Sequence, residues 1–186
     1  MINADKYYDA ALKSEWAGEF EHSKEMYCRS FVNARSGSAS TEYISATLYG
    51  YGRMLGYTCD YSASDEAIKE SLRLEKSVSD SVTPNITKRL SELGRLSLAR
   101  ESYSEAAEYF GDASSGLEKL GMLKTNPMGY ALYLEDYAKA LRMSGQETKS
   151  EVVLSRAQSI RNANPALTAT FTPIYYEEAC ANSKQS

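Results

Sequence analysis

The chain repeats itself. Four small residues, Ala11, Gly52, Gly94 and Ala138, recur at intervals of 41, 42 and 44 residues, and each stands in a similar setting. Four positions before them come Tyr7, Leu48, Leu90 and Leu134; one before, Ala10, Tyr51, Leu93 and Tyr137; three after, Ser14, Leu55, Ser97 and Leu141. This spacing of −4, −1, 0 and +3 is one face of a helix. A period of this length constrains everything else, because a single unit cannot bury its apolar face alone and must stack on its neighbour.

A second helix follows in each unit. Nine residues past the anchor stand Phe20, Tyr61, Tyr103 and Glu147; sixteen past, Tyr27, Ile68, Phe110 and Leu154. Small residues flank the latter: Ser23, Ser64, Ala106 and Ser150 at +12, and Ser30, Ser71, Ala113 and Ala157 at +19. Small side chains let two helix backbones approach, and the large one between them fills the groove. Breakers fall where this scheme needs them. Gly18 and Gly145 mark turns inside the pairs, and Thr83–Pro84, Asn126–Pro127 and Thr172–Pro173 each offer a capping residue followed by a proline fit for the first helical position. Ser-rich stretches (Ser36–Ser40, Ser77–Ser81) separate the earlier units. In the second unit a register on Leu55 and Ala67 competes with the one on Gly52, which equalises the periods better.

Unit three, Leu90–Ala113, resembles a tetratricopeptide repeat in its Leu-Gly pair, its Tyr at +9, Ala at +12, Phe at +16 and Ala at +19. Unit four, Tyr130–Ile160, resembles the longer variant typified by kinesin light chain. The resemblance covers roughly residues 4–162. It implies an all-α, right-handed superhelix, a tetratricopeptide-like solenoid of about four helical hairpins (4–37, 41–79, 84–121 and 127–162), closed by a terminal helix over 172–182, with residues 1–186 as a single domain.

The resemblance also implies that the first helix of each pair lines a concave groove, with positions −3, +1, +4 and +5 pointing into it. Position +1 carries Leu12, Arg53, Arg95 and Lys139, and Arg142 at +4 and Lys88 at −6 extend this basic stripe. Tyr8 and Tyr49 at −3, and Trp16 and Tyr57 at +5, make the first half aromatic; Ser91, Glu135, Ala99 and Met143 occupy these positions in the second. The expected partner is therefore a protein or peptide with acidic residues and apolar anchors, since Trp, Tyr and Arg dominate binding hot spots and a basic groove steers acidic ligands. The plainer reading is ordinary surface and core: Arg at +1 paired with Glu92 or Glu135, the tyrosines packed between repeats, and Trp16 closing the first pair. The carboxylate clamp of some family members is not reproduced. Leu12 and Gly50 stand where it has asparagine and Tyr8 where it has its first lysine, and only Lys88 matches.

Chemistry of other kinds finds no footing in the sequence. A net charge of −4 and a pI near 5.2 argue against a nucleic-acid binder, which needs a basic surface. The one histidine, His22, allows no multi-histidine metal site or histidine-based triad. No phosphate-binding loop is present, and Cys59, near a predicted turn, lacks a partner histidine. Neither catalysis, metal nor cofactor is expected. The three cysteines, Cys28, Cys59 and Cys180, are far apart and follow no metal spacing, which points to a reducing compartment. No apolar run is long enough for a membrane helix, and the polar start Met1–Lys6 is no signal peptide. A cytoplasmic location follows, with the periplasm as the alternative if a leader has been removed. The reading is thus a non-catalytic scaffold that binds a protein or peptide in its groove. The alternative is a regulatory or inhibitory module that binds one effector enzyme or belongs to a larger signalling protein. Self-association through an uncapped terminal repeat is a further possibility.

Overall fold

A computed structural model describes residues 2–79, 81–167 and 173–183. Among the described residues there are ten helices and no strand: α1 (Ile2–Trp16), α2 (Phe20–Ser36), α3 (Thr41–Tyr57), α4 (Tyr61–Val78), α5 (Pro84–Ala99), α6 (Tyr103–Lys119), α7 (Met122–Thr125), α8 (Pro127–Met143), α9 (Glu147–Ala163) and α10 (Tyr176–Ser183). They form two compact units, Met1–Asp80 with Tyr175–Ser186, and Ser81–Ile174. The first unit holds the hairpins α1–α2 and α3–α4, with α3 laid against α2 and α10 against α3. The second holds α5–α6 and α8–α9, with α8 against α6 and the single turn of α7 in the link between them.

Each hairpin turns in the same way. Seven residues after the anchor the backbone enters the left-handed region, at Gly18 (φ 77), Cys59 (φ 72), Glu101 (φ 57) and Gly145 (φ 79). The next N–H then returns to the carbonyl of the residue at +3: Glu19 to Ser14 (2.9 Å), Asp60 to Leu55 (2.8 Å), Ser102 to Ser97 (2.8 Å) and Gln146 to Leu141 (2.8 Å). A left-handed residue with this long return bond satisfies the carbonyls that a helix end leaves open. Cys59 lies seven residues after Gly52, so Gly52 is the true anchor of the second unit.

The small residues act as expected and add hydrogen bonds. Ser23 and Ser150, both at +12, donate from Oγ to the carbonyls of the anchors Ala11 (2.8 Å) and Ala138 (2.7 Å). At +19, Ser30 and Ser71 donate to Ala4 and Ser45 on the facing helix, both at 2.8 Å. The anchor glycines sit where no side chain fits: a Cβ on Gly52 would lie 2.8 Å from Ile68 Cγ1, and one on Gly94 2.9 Å from Phe110 Cδ1. Ile68 and Phe110 are fully buried, so the large residue at +16 is the core of each of these pairs.

Capping follows the sequence at two of the three predicted sites. Thr83 Oγ1 accepts from the Ile86 amide (3.1 Å) and Asn126 Oδ1 from the Gly129 amide (3.0 Å), each with proline at the start of the helix. Thr172, in the third pair, lies outside the described residues. The terminal helix begins at Tyr176, three residues beyond Pro173, and ends at Ser183.

Candidate binding faces of the first helices

In the first unit, the residues expected in the groove gather around one guanidinium. Arg53 Nη1 meets Glu15 Oε1 at 2.7 Å, joining α3 to α1, and Arg53 Nη2 donates to the Tyr57 hydroxyl at 3.0 Å. The same guanidinium lies over the rings of Tyr49 and Tyr57, 5.7 and 5.4 Å from their centroids. Glu15 also accepts from the Tyr27 hydroxyl at 2.9 Å. Burial, and then the Glu15 carboxylate, push the Tyr27 phenol far above its ordinary value. Tyr8 packs edge-on against Tyr27 (5.6 Å between centroids) and tilted against Tyr43 (5.8 Å). Tyr49 and Tyr57 are buried and Tyr8 half-buried, so these tyrosines stand between hairpins, as the plainer reading had it. Trp16 does not close the first pair. It is 90% exposed at the end of α1, next to the Glu15 that holds Arg53.

In the second unit the stripe divides. Arg95 Nε lies 3.3 Å from Asp136 Oδ2 and its Nη1 3.4 Å from Glu92 Oε2, tying α5 to α8 as Arg53 ties α3 to α1. Glu135, the other carboxylate expected beside Arg95, is held instead by both arms of Arg161 on α9, at 2.6 and 2.8 Å. Lys88, Lys139 and Arg142 are exposed, and so is Met143 at +5 of the last unit. Arg53 and Arg95, two of the three cations at +1, are thus engaged by carboxylates of neighbouring first helices and serve as ties between hairpins.

No group of three His, Cys, Asp or Glu side chains gathers to hold a metal ion among the described residues. His22 lies in an open cleft of about 600 Å³ on the α2 side, with Glu21, Lys24, Glu25, Cys28, Arg29 and Tyr51. Cys59 is bonded to Cys180 and offers no thiol, while Glu177 and Glu178 are exposed on α10. The sequence reading missed this pair, because nothing in a separation of 121 residues announces a contact. One signal was present: Cys59 occupies the turn position that glycine holds in the first and last units.

No protein-family model matches the chain, and no curated protein matches it in sequence. In structure it is similar to BtubC (BKLC) from P. vanneervenii, with a TM-score of 0.80 at 13% identity over 92% of this chain and 68% of that one. It is also similar to a putative kinesin light chain from Podosopora anserina with nearly identical TPR-like repeats (TM-score 0.74, 15% identity, 97% of this chain and 85% of that one). The fold is that of tetratricopeptide-like repeat proteins. RapI in its apo form shares this tetratricopeptide-like fold at a TM-score of 0.75 and 12% identity, over 88% of this chain and 57% of that one. Identities this low speak for the fold alone. No described helix is long and apolar enough to cross a membrane.

Proposed function

We propose that this tetratricopeptide-like chain is a non-catalytic scaffold that binds a protein or peptide on the faces of its first helices. The observation that carries the reading is Trp16, a large apolar ring standing 90% exposed at the end of α1, at a position that the repeat register assigns to the groove. Tryptophan is one of the residues most enriched at the hot spots of protein interfaces. In the second unit, the exposed Lys88, Lys139 and Arg142 supply positive charge on first helices and suit acidic residues of a partner. Arg53 and Arg95 act behind this surface, by holding the helices in place.

The test is an affinity pull-down from native lysate with mass spectrometry, comparing the parent chain with Trp16→Ala and with a Lys139→Glu, Arg142→Glu chain. Loss of the same enriched protein from both, with helical circular dichroism unchanged, supports the reading. Retention of that protein by both moves the site elsewhere. Several partners would mark an adaptor, and one stoichiometric enzyme a regulatory module. The Cys59–Cys180 bond supports a compartment that permits disulfides over the reducing one expected from cysteine spacing.

One observation favours self-association as a second reading. Leu154 of α9 is 45% exposed, whereas its counterparts Tyr27, Ile68 and Phe110 are almost wholly buried. Val152 on the same helix is also exposed. Repeat proteins stack through faces of this kind. Light scattering should show a concentration-dependent increase in mass that Leu154→Glu abolishes. A monomer at all concentrations would dismiss the reading.

A further inference from the structure

The eight-residue helix α10 is too short to persist unaided in water, and most of its surface is polar. Two devices hold it on the first unit. One is Tyr176, fully buried, its ring 5.1 Å from that of Tyr57 on α3 and 6.4 Å from that of Tyr61 on α4. The ring rests on Gly56, where a Cβ would come within 2.2 Å of Tyr176 Cε1. The other is the Cys59–Cys180 disulfide.

Three observations mark this place as a seat for a helix and not merely a spot where the chain ends. First, Tyr176 on α10 meets Tyr61 edge-on at 6.4 Å, and Tyr61 stands at +9, the position from which Phe20 in the first hairpin meets Tyr57 of the next (5.0 Å, tilted). Second, the buried hydroxyl of Ser64, beside Gly56, has no hydrogen-bond partner, although its counterparts Ser23 and Ser150 bond to their anchor carbonyls. Buried polar groups are normally satisfied, so α10 fills this seat incompletely, and a segment that also brought a polar group to Ser64 would be held better. Third, Cys59 bears a side chain in the left-handed conformation that glycine takes at the first and last turns. Glu101 takes the same conformation at an exposed turn, but at Cys59 the turn carries the sulfur that is bonded to Cys180.

We infer that α10 is a redox-releasable internal ligand. The seat formed by Gly56, Tyr57, Tyr61 and Ser64 receives a helical segment of a partner protein once the Cys59–Cys180 bond is opened. The segment has the chemistry of α10: an aromatic anchor, a small residue three positions on (Tyr176 and Ala179 are both buried), and acidic residues facing outward, as Glu177 and Glu178 do. A dithiol reductant opens the bond. Its thiolate attacks one of the two sulfurs, forming a mixed disulfide and releasing the other cysteine, and its second thiol then attacks the reductant's own sulfur in that mixed disulfide and releases the remaining cysteine. Cys59 and Cys180 leave as thiols, and the reductant, having given up two electrons and two protons, becomes a disulfide. With the bond closed, no outside segment displaces α10. With the bond open, α10 competes only as a tethered helix. This rests on the protein-binding role proposed above, but at a different surface.

The test uses the full chain and a labelled peptide of residues 173–183 carrying Cys180→Ser. It is titrated against the oxidised protein, the protein reduced with dithiothreitol, and a chain with Cys59→Ser, Cys180→Ser and Tyr176→Ala, whose own strap has lost both holds. Saturable binding is expected to the triple variant, weaker binding to the reduced protein, and none to the oxidised protein. In parallel, amide exchange across α10 should speed up by at least about tenfold on reduction. Absence of binding to a folded triple variant, equal binding to the oxidised protein, or unchanged α10 exchange on reduction would each overturn the proposal. The exchange measurement needs only the parent chain, so a variant that fails to fold leaves the proposal open to refutation. Trp16→Ala leaves the peptide titration unchanged, so failure of the groove reading is seen separately.

Discussion

At the scale of single residues, charge was legible, and so was the pairing of Arg95 with Glu92 one turn before it, but the pairings between hairpins were not. The sequence places Arg53 and Arg95 in register, and both lie on the predicted helices. Their partners come from elsewhere in the repeat: Glu15 at +4 of the first unit, and Asp136 at −2 of the fourth. No shared spacing links these carboxylates, so the repeat pattern could not announce that the arginines are ties. A third carboxylate, Glu118 on α6, gives a pH-dependent prediction. It accepts from Arg156 Nη1 at 2.5 Å and from the Tyr130 hydroxyl at 3.1 Å, and the Arg156 hydrogen bond, ahead of all else, holds its carboxyl below the ordinary glutamate value. A carboxyl depressed by folding stabilises the native state above its unfolded pKa, and that stabilisation is lost as pH falls through the folded value. Both partners are partly exposed, so the effect after solvent screening is about 0.5 kcal/mol. Glu118→Gln should therefore lower the urea midpoint at pH 6, and the gap to the parent should close below the ordinary glutamate range of about 4. A gap that persists at pH 3 would assign the loss to packing.

At the scale of elements, helix starts and the small-residue stripe were legible because they rest on local chemistry. Thr83, Asn126 and the prolines after them act on their own backbone, and the serines at +12 and +19 need only the facing helix. Turns were read where glycine marked them, at Gly18 and Gly145, and not where Cys59 and Glu101 adopt the same conformation. The left-handed region costs an L side chain about 1 kcal/mol and glycine almost nothing. Glu101 is exposed at its turn, so little else should change when it is replaced. Glu101→Gly relieves this strain but carries glycine's larger unfolded-state entropy, so the α5–α6 hairpin is expected to gain about 0.5 kcal/mol or less. The rise should appear as a higher thermal midpoint, and a lower midpoint would mean that the Glu101 side chain contributes contacts outweighing its strain. The single turn of α7 had no such marker, since Gly121 is the only breaker before Asn126 and reads equally well as the end of α6.

At the scale of the whole chain, the repeat predicts four hairpins but not their grouping into two compact units, because a period describes neighbours and says nothing of where contacts thin out. Nor does it predict that the chain's end returns to the first unit. The bond from Cys59 to Cys180 closes a loop of 121 residues that contains the entire second unit. Closing a loop of this length contributes up to about 5 kcal/mol, chiefly by restricting the unfolded chain. What the bond fixes in the folded protein, however, is only α10 on α3. Cys180→Ser should therefore act unevenly. Amide protection should fall in α3 and α4, around the buried Met54 and Ile68, and hold in α5 and α6, around Leu93 and Phe110. Native-state hydrogen exchange resolves the two regions, because protection reports the opening of each cooperative part separately. An equal loss in both would mean that they open in a single step, and that the cross-link stabilises the chain only through its unfolded state.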